Sequence, residues 1–269
     1  MSVNPLNNHE LQELAPTLFT GEPHYKVSDK YHFIPTIDVI EEIKSHHWYP
    51  VSVSEAGVKD EAKQGFQQHC VRFRHFEDLL HPQDNAVELL LFNSHDRTKS
   101  FSIAAGIFRF VCANGLVISD SVFESYKIKH LGERDNDVAH AVAKITAVKE
   151  KLIDKIKILS SIQLSQSEKE SFSKLSIPLR FEEHLEVNHK DLLIPHREAD
   201  YKDDLYTTLN VIQENLIRGN ISGVNKESGR RFTSKEIKSI TTDTQINKEI
   251  WELAERIATI KEPSYSVAA

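Results

Sequence analysis

Residues 89–117, LLLFNSHDRTKSFSIAAGIFRFVCANGLV, concentrate the apolar mass of the chain and its sharpest turn chemistry. Residues 89–92 read as a buried strand that stops at a polar turn, Asn93-Ser94-His95-Asp96, because Asn, Ser and Asp side chains bond the local backbone. A return strand is expected near residues 100–103. The next stretch fits two patterns. Ile107, Phe108, Phe110 and Val111 form one helical face closed by Asn114-Gly115 as a left-handed cap, and they equally form a strand that turns on Asn-Gly. Ala104-Ala105-Gly106, suited to close packing, favours a short helix.

Toward the N-terminus, Pro35 and Thr36 open a helix, with Thr36 as its cap and Ile37, Val39, Ile40 and Ile43 as its buried stripe. Ser45-His46-His47 ends it. Residues 48–54 alternate as a strand with Tyr49, Val51 and Val53 on one face. After a charged loop at 55–65 comes a second strand at 67–76, with His69, Val71, Phe73 and His75 pointing one way and Cys70, Arg72 and Arg74 the other. Residues 1–30 are polar and read as a loosely attached arm with one short helix.

Toward the C-terminus, two more strands are expected at 116–118 and 122–128. The period then turns helical: Val138, Val142, Ile145, Val148, Leu152, Ile156 and Leu159 make one stripe from Asp135 onward. Ser167 and Glu170 have capping-box spacing for a shorter helix. Helical patterns return at 199–218 and 242–260, separated by a Gly-punctuated basic loop at 218–238. The expected fold is α+β: an antiparallel sheet backed by helices, with a C-terminal helical portion. The organisation is an arm (1–30), a core with a long backing helix (31–163), a helical portion (164–262) and a loose tail (263–269).

The 269 residues carry a formal net charge of -7, which argues against a histone-like polybasic binder but leaves room for a local basic groove. No run has the apolar length of a membrane helix, and the first residues lack a charged-then-apolar signal pattern, so a cytoplasmic, membrane-free protein is expected. Cys70 and Cys112 need no disulfide there. His69, Cys70 and His75 face opposite sides of one strand, and no Cys-x-x-Cys completes a zinc shell. There is no Walker loop and no dinucleotide glycine fingerprint, so no metal and no cofactor is expected.

Two kinds of site remain. The 218–238 segment sets Arg218, Lys226, Arg230, Arg231, Lys235 and Lys238 against Glu227 and Glu236, a phosphate-binding composition. Arg72 and Arg74 on a strand face, with Arg97 and Lys99 at a hairpin tip, would add a basic sheet surface, and Tyr49 and Phe76 would offer stacking platforms. The alternative is a metal-assisted hydrolase in which His95 beside Asp96 ligates a metal or acts as a base. A turn is the more economical reading of those two residues. A third class is a partner-binding protein acting on host defence or replication.

FIPTIDVIEEI, LLLFNSHD, GIFRFVCANGLV, DLYTTLNVIQENLIRGNISG and INKEIWELAERI together resemble the YafZ/YfjQ family of prophage and plasmid proteins, grouped under a domain of unknown function. The resemblance spans about residues 21–260; it implies a mobile-element origin and carries no catalytic residue to transfer. The element order around residues 37–76 also resembles the start of the single-strand annealing domain of the Rad fifty-two type. That resemblance implies homo-oligomers holding single-stranded DNA. The leading expectation is therefore a non-catalytic binder of single strands through Arg72, Arg74, Arg97, Lys99, Arg230 and Arg231.

Overall fold

The computed structural model describes residues 4–27, 33–58, 60–96, 98–109, 114–117, 126–127 and 135–262. The chain divides into two compact units, one drawn from residues 1–110 and 120–150, the other from 111–119 and 151–269. Arg97, Cys112, the tail from 263 and most of the strand expected at 122–128 lie outside the described residues.

The first unit opens with helix α1 (Asn8–Leu14), closed at its start by a capping box between Asn7 and Glu10. Leu11, Ala15 and Leu18 have no exposed surface, so the expected loose arm is in fact packed. Its buried apolar residues among those described are only three, spaced four and three apart, a stripe short enough to look polar in sequence. The Leu6 amide also donates to the Pro50 carbonyl at 2.7 Å.

Helix α2 (Thr36–Ser45) buries Val39, Ile40 and Ile43 as the periodicity predicts. Its cap position is Pro35, which offers no side-chain bond; Thr36 lies inside the helix and its hydroxyl points elsewhere. His47, with φ of 64°, turns the chain into strand β1 (Trp48–Glu55). β1 pairs antiparallel with β2 (His69–His75), β2 with β3 (Asn85–Asn93), and β3 with β4 (Ser102–Arg109). A register shift between Pro50 and Ser52 marks a bulge, which breaks the simple alternation expected for β1 and buries Val51 beside Pro50. Between β2 and β3 runs the short helix α3 (Phe76–Leu80), which no periodicity announces.

β3 is the centre of this unit: every residue after Asn85 is buried. β4 corrects the reading of Ile107 and Phe108 as part of a helical face, while Phe110 and Val111 lie outside the described residues. Ala104, Ala105 and Gly106 sit opposite Leu90, Leu89 and Glu88. Small residues there let bulky ones on β3 fill the layer, so pairing overrides the local helical pattern. Strand β5 (Asn114–Val117), part of the second unit, takes Asn114 and Gly115 as extended residues rather than as a helix cap. The two-residue β6 (Tyr126–Lys127) pairs with β4. The long helix α4 (Asp135–Ser161) follows the expected stripe, with Val138, Val142, Ile145, Leu152, Ile156 and Leu159 buried. In the first unit the Trp48 indole donates to the Thr146 hydroxyl at 3.2 Å, and Lys149 pairs with Asp78 at 2.7 Å.

The second unit contains α5 (Gln166–Ser176), whose capping box is Ser165 with Glu168, two residues before the expected pair. Then come β7 (Leu185–Val187), α6 (Leu205–Arg218), β8 (Ser222–Asn225), β9 (Arg231–Thr233) and α7 (Ile240–Lys261). α6 starts later than its apolar pattern suggests because Asp204 caps it, accepting from the Thr207 amide at 2.7 Å and hydroxyl at 2.8 Å. Residues from Leu205 through Leu216 are all buried, which makes α6 the central helix of its unit. α7 packs its Ile246, Ile250 and Trp251 stripe, while Ile260 at its end stays 80% exposed. No helix among the described residues is long and apolar enough to cross a membrane.

Candidate nucleic-acid interface

The basic segment expected to be a flexible loop is a hairpin. β8 pairs with β7 on one side and β9 on the other, so three short antiparallel strands form a second sheet. Its tip is organised by Asn225, whose side-chain oxygen accepts from the amides of Glu227 and Ser228 at 3.0 Å each. Gly229, with φ of 66°, supplies the left-handed residue that closes the turn. Its amide returns to the Asn225 carbonyl at 2.8 Å, and the Asn225 amide donates to the Arg230 carbonyl at 2.9 Å.

The base of the hairpin is pinned as firmly. Gly219, at φ of 80°, ends α6, and a Cβ on it would lie 2.7 Å from the Lys235 backbone. The Asn220 amide donates to Ser234, the Ser234 amide to Ile221, and the Ile237 amide to Ile217. The Arg180 guanidinium donates to the carbonyls of Leu216 and Lys235. Burial of Arg180 lowers its pKa from the ordinary value, yet its guanidinium is held on fixed acceptors. Above this base Lys226, Arg230, Arg231, Lys235 and Lys238 are all exposed. None of them forms an ion pair among the described residues.

The other arginines expected on a binding surface are placed differently. Arg72 Nε and Arg74 Nε both donate to the Glu88 carboxylate, at 2.5 and 2.8 Å. Glu88 is wholly buried and Arg74 is 2% exposed, with its guanidinium 4.1 Å above the Phe108 ring. These two arginines neutralise a core carboxylate; they are not an open basic face. In sequence Glu88 gave no sign of this, because its partners lie on the neighbouring strand. Lys99 is half-buried in the turn after β3, where its backbone exchanges hydrogen bonds with the Ser94 hydroxyl. Tyr49 and Phe76 do approach, with ring centroids 6.2 Å apart.

His95 and Asp96 do not form an open acid–base pair. His95 is fully buried and its Nε2 donates to the Thr17 carbonyl at 3.1 Å. Its ring lies between Phe33 and His69, at 4.9 and 5.2 Å. The hub of this cluster is Thr36. Its hydroxyl meets His69 Nε2 at 2.8 Å, accepts from Asn93 Nδ2 at 3.0 Å, and lies 3.4 Å from His95 Nε2. His69 Nδ1 donates to the Gln67 carbonyl at 3.1 Å, so Nε2 of the neutral ring accepts from Thr36. Burial, reinforced by His95, pushes His69 down to about 3 against the pull of the Gln67 carbonyl. Burial of Asp96 works the other way, but hydrogen bonds from Thr98 and Ser94 and the Lys63 ammonium at 3.5 Å hold its carboxyl below the ordinary range. Among the described residues no group of three or more His, Cys, Asp or Glu is placed to hold a metal ion. The cluster is a buried, hydrogen-bonded polar core, and only the meeting of α2, β2 and the turn after β3 assembles it.

Residues 23–251 match the family described as "Domain of unknown function (DUF932)". The chain belongs to this family. Among relatives in Escherichia coli (strain K12), UPF0380 protein YfjQ is 31% identical over 256 residues, covering 95% of this chain and 92% of its own length. UPF0380 protein YafZ of the same strain matches to the same extent. No solved structure matches. The YafZ/YfjQ motifs of this DUF932 chain fall mostly on its core: FIPTIDVIEEI is largely α2, LLLFNSHD is β3 with its turn, and INKEIWELAERI lies in α7. Arg230 and Arg231 lie beyond the end of DLYTTLNVIQENLIRGNISG, in the hairpin that this motif leads into.

Proposed function

We propose that this chain is a non-catalytic, single-stranded DNA-binding protein of a mobile element, with the β8–β9 hairpin as its phosphate-contacting surface. The observation that carries the reading is the pair Arg230 and Arg231. They stand exposed at the head of β9, beside Lys226, with no carboxylate paired to them among the described residues. Unpaired guanidiniums on a rigid support displace the counterions of a phosphate chain without first breaking an internal ion pair. The net charge of -7 makes this local excess the place where a polyanion would dock. The succession of α2, an antiparallel meander and the long α4 supports use in strand annealing by a homo-oligomer.

Filter binding of a labelled single strand at low salt is the direct test. Binding should fall steeply as salt rises, and replacing Arg230 and Arg231 together by Ala should weaken it equally for all sequences. Each phosphate contact removed from a single strand lowers the salt slope by about 0.7, so the double variant should lose about 1.4. Absence of binding at low salt, or an unchanged slope in the double variant, would remove the proposal.

A further inference from the structure

We infer that the groove across the β8–β9 hairpin seats one unpaired nucleobase of the bound strand, with the adjoining phosphate on Arg231. This rests on the nucleic-acid reading of the same hairpin. The groove has a volume of about 510 Å³ and is lined by Ser222, Gly223, Val224, Arg231, Phe232 and Thr233. These residues are three cross-strand rungs: Ser222 opposite Thr233, Gly223 opposite Phe232, and Val224 opposite Arg231. Its size falls in the range of about 300–1,000 Å³ typical of small-ligand sites.

The rungs differ in chemistry in a way that matches a nucleotide. Val224 leaves 38% of its surface in water, directly across from the unpaired Arg231 guanidinium. An apolar wall beside a fixed cation complements a flat base beside a phosphate. Phe232 packs over Gly223, its ring atoms 2.7 Å from where a Cβ would stand, and Phe181 lies 6.3 Å away from it. Side chains alternate along a strand, so the Gly223 and Phe232 rung faces away from Val224 and Arg231, and the ring braces the hairpin from behind the groove. The hydroxyls of Ser222 and Thr233 each donate or accept, so they accommodate any base edge and impose little sequence preference. A duplex keeps its base faces stacked on one another, whereas a single strand presents them.

The test compares a labelled oligothymidylate, an abasic strand of equal length and a duplex, by fluorescence anisotropy with the full chain. The abasic strand, with the same phosphates but no bases, should bind about tenfold more weakly than the intact strand, as should the duplex. Val224→Ser, on an exposed position, should close most of the gap between intact and abasic strands. Phe232→Leu, on the opposite face of the hairpin, should leave that gap open. Equal binding of intact and abasic strands, with both weakened by replacing Arg230 and Arg231, would overturn the base groove and leave the phosphate surface standing. Binding of neither strand would overturn both.

Discussion

Thr36 shows how much one hydroxyl holds together. It joins α2 to His69 on β2 and to Asn93 at the end of β3, all with no or almost no exposure. Thr36→Val keeps the shape and removes the oxygen. The buried His69 Nε2 then lacks its donor and Asn93 its closer acceptor, a loss of about 2 kcal/mol. Urea denaturation should show the midpoint falling with an unchanged slope; a shift below about 0.5 kcal/mol would mean the hub is not one. Sequence marks Thr36 as a residue at a helix start and His95 as a residue in a turn. Both readings locate the residues correctly in the chain, but neither contains the partner, because the contacts reach across 33 and 59 positions.

At the level of elements, the helices were the most legible part. A stripe such as Val138, Val142 and Ile145 is a local pattern that a helix of any neighbourhood must respect. β4 was not legible, since Ala104-Ala105-Gly106 is compatible with close packing in either state and only Leu89 and Leu90 opposite decide it. The β8–β9 hairpin was hidden for a related reason: three glycines and many charges look like a loop until a neighbouring strand supplies hydrogen bonds. Gly219 is the joint on which this hairpin depends. Gly219→Ala imposes a left-handed conformation on a residue with a Cβ and drives that atom into the Lys235 backbone. The conformational part alone costs roughly 1–2 kcal/mol. We expect chemical denaturation to show a loss of at least about that size, whereas Gly57→Ala, which meets nothing within 4 Å, should be close to neutral. Equal behaviour of the two variants would contradict the assigned joint.

At the scale of the whole molecule, the buried His69 ties stability to pH. His69 is held near 3, below the ordinary 6.5, so the unfolded chain takes up a proton at this position over a range in which the folded chain does not. Its contribution is fully present above about pH 6.5 and is lost as pH falls toward 3. His95 faces the same cluster, and Glu55 is bonded to Thr17 beside it. His69→Gln removes the titrating ring and should flatten the acid limb. Fluorescence of Trp48 reports the first unit once Trp251 in the second is replaced by Phe, a change that keeps an aromatic ring and breaks no hydrogen bond of the indole nitrogen among the described residues. Identical acid limbs with and without the His69→Gln substitution would show that the cluster does not carry the linkage. The sequence by itself determined the α+β class, the family, the long helices and the net charge, since each follows from local periodicity, motif order or composition. Tertiary structure alone decided that Arg72 and Arg74 serve Glu88 while Arg230 and Arg231 remain open. Whether a guanidinium meets water or a buried carboxylate depends on which strand lies beside it, and that neighbour is chosen by the packing of the whole unit.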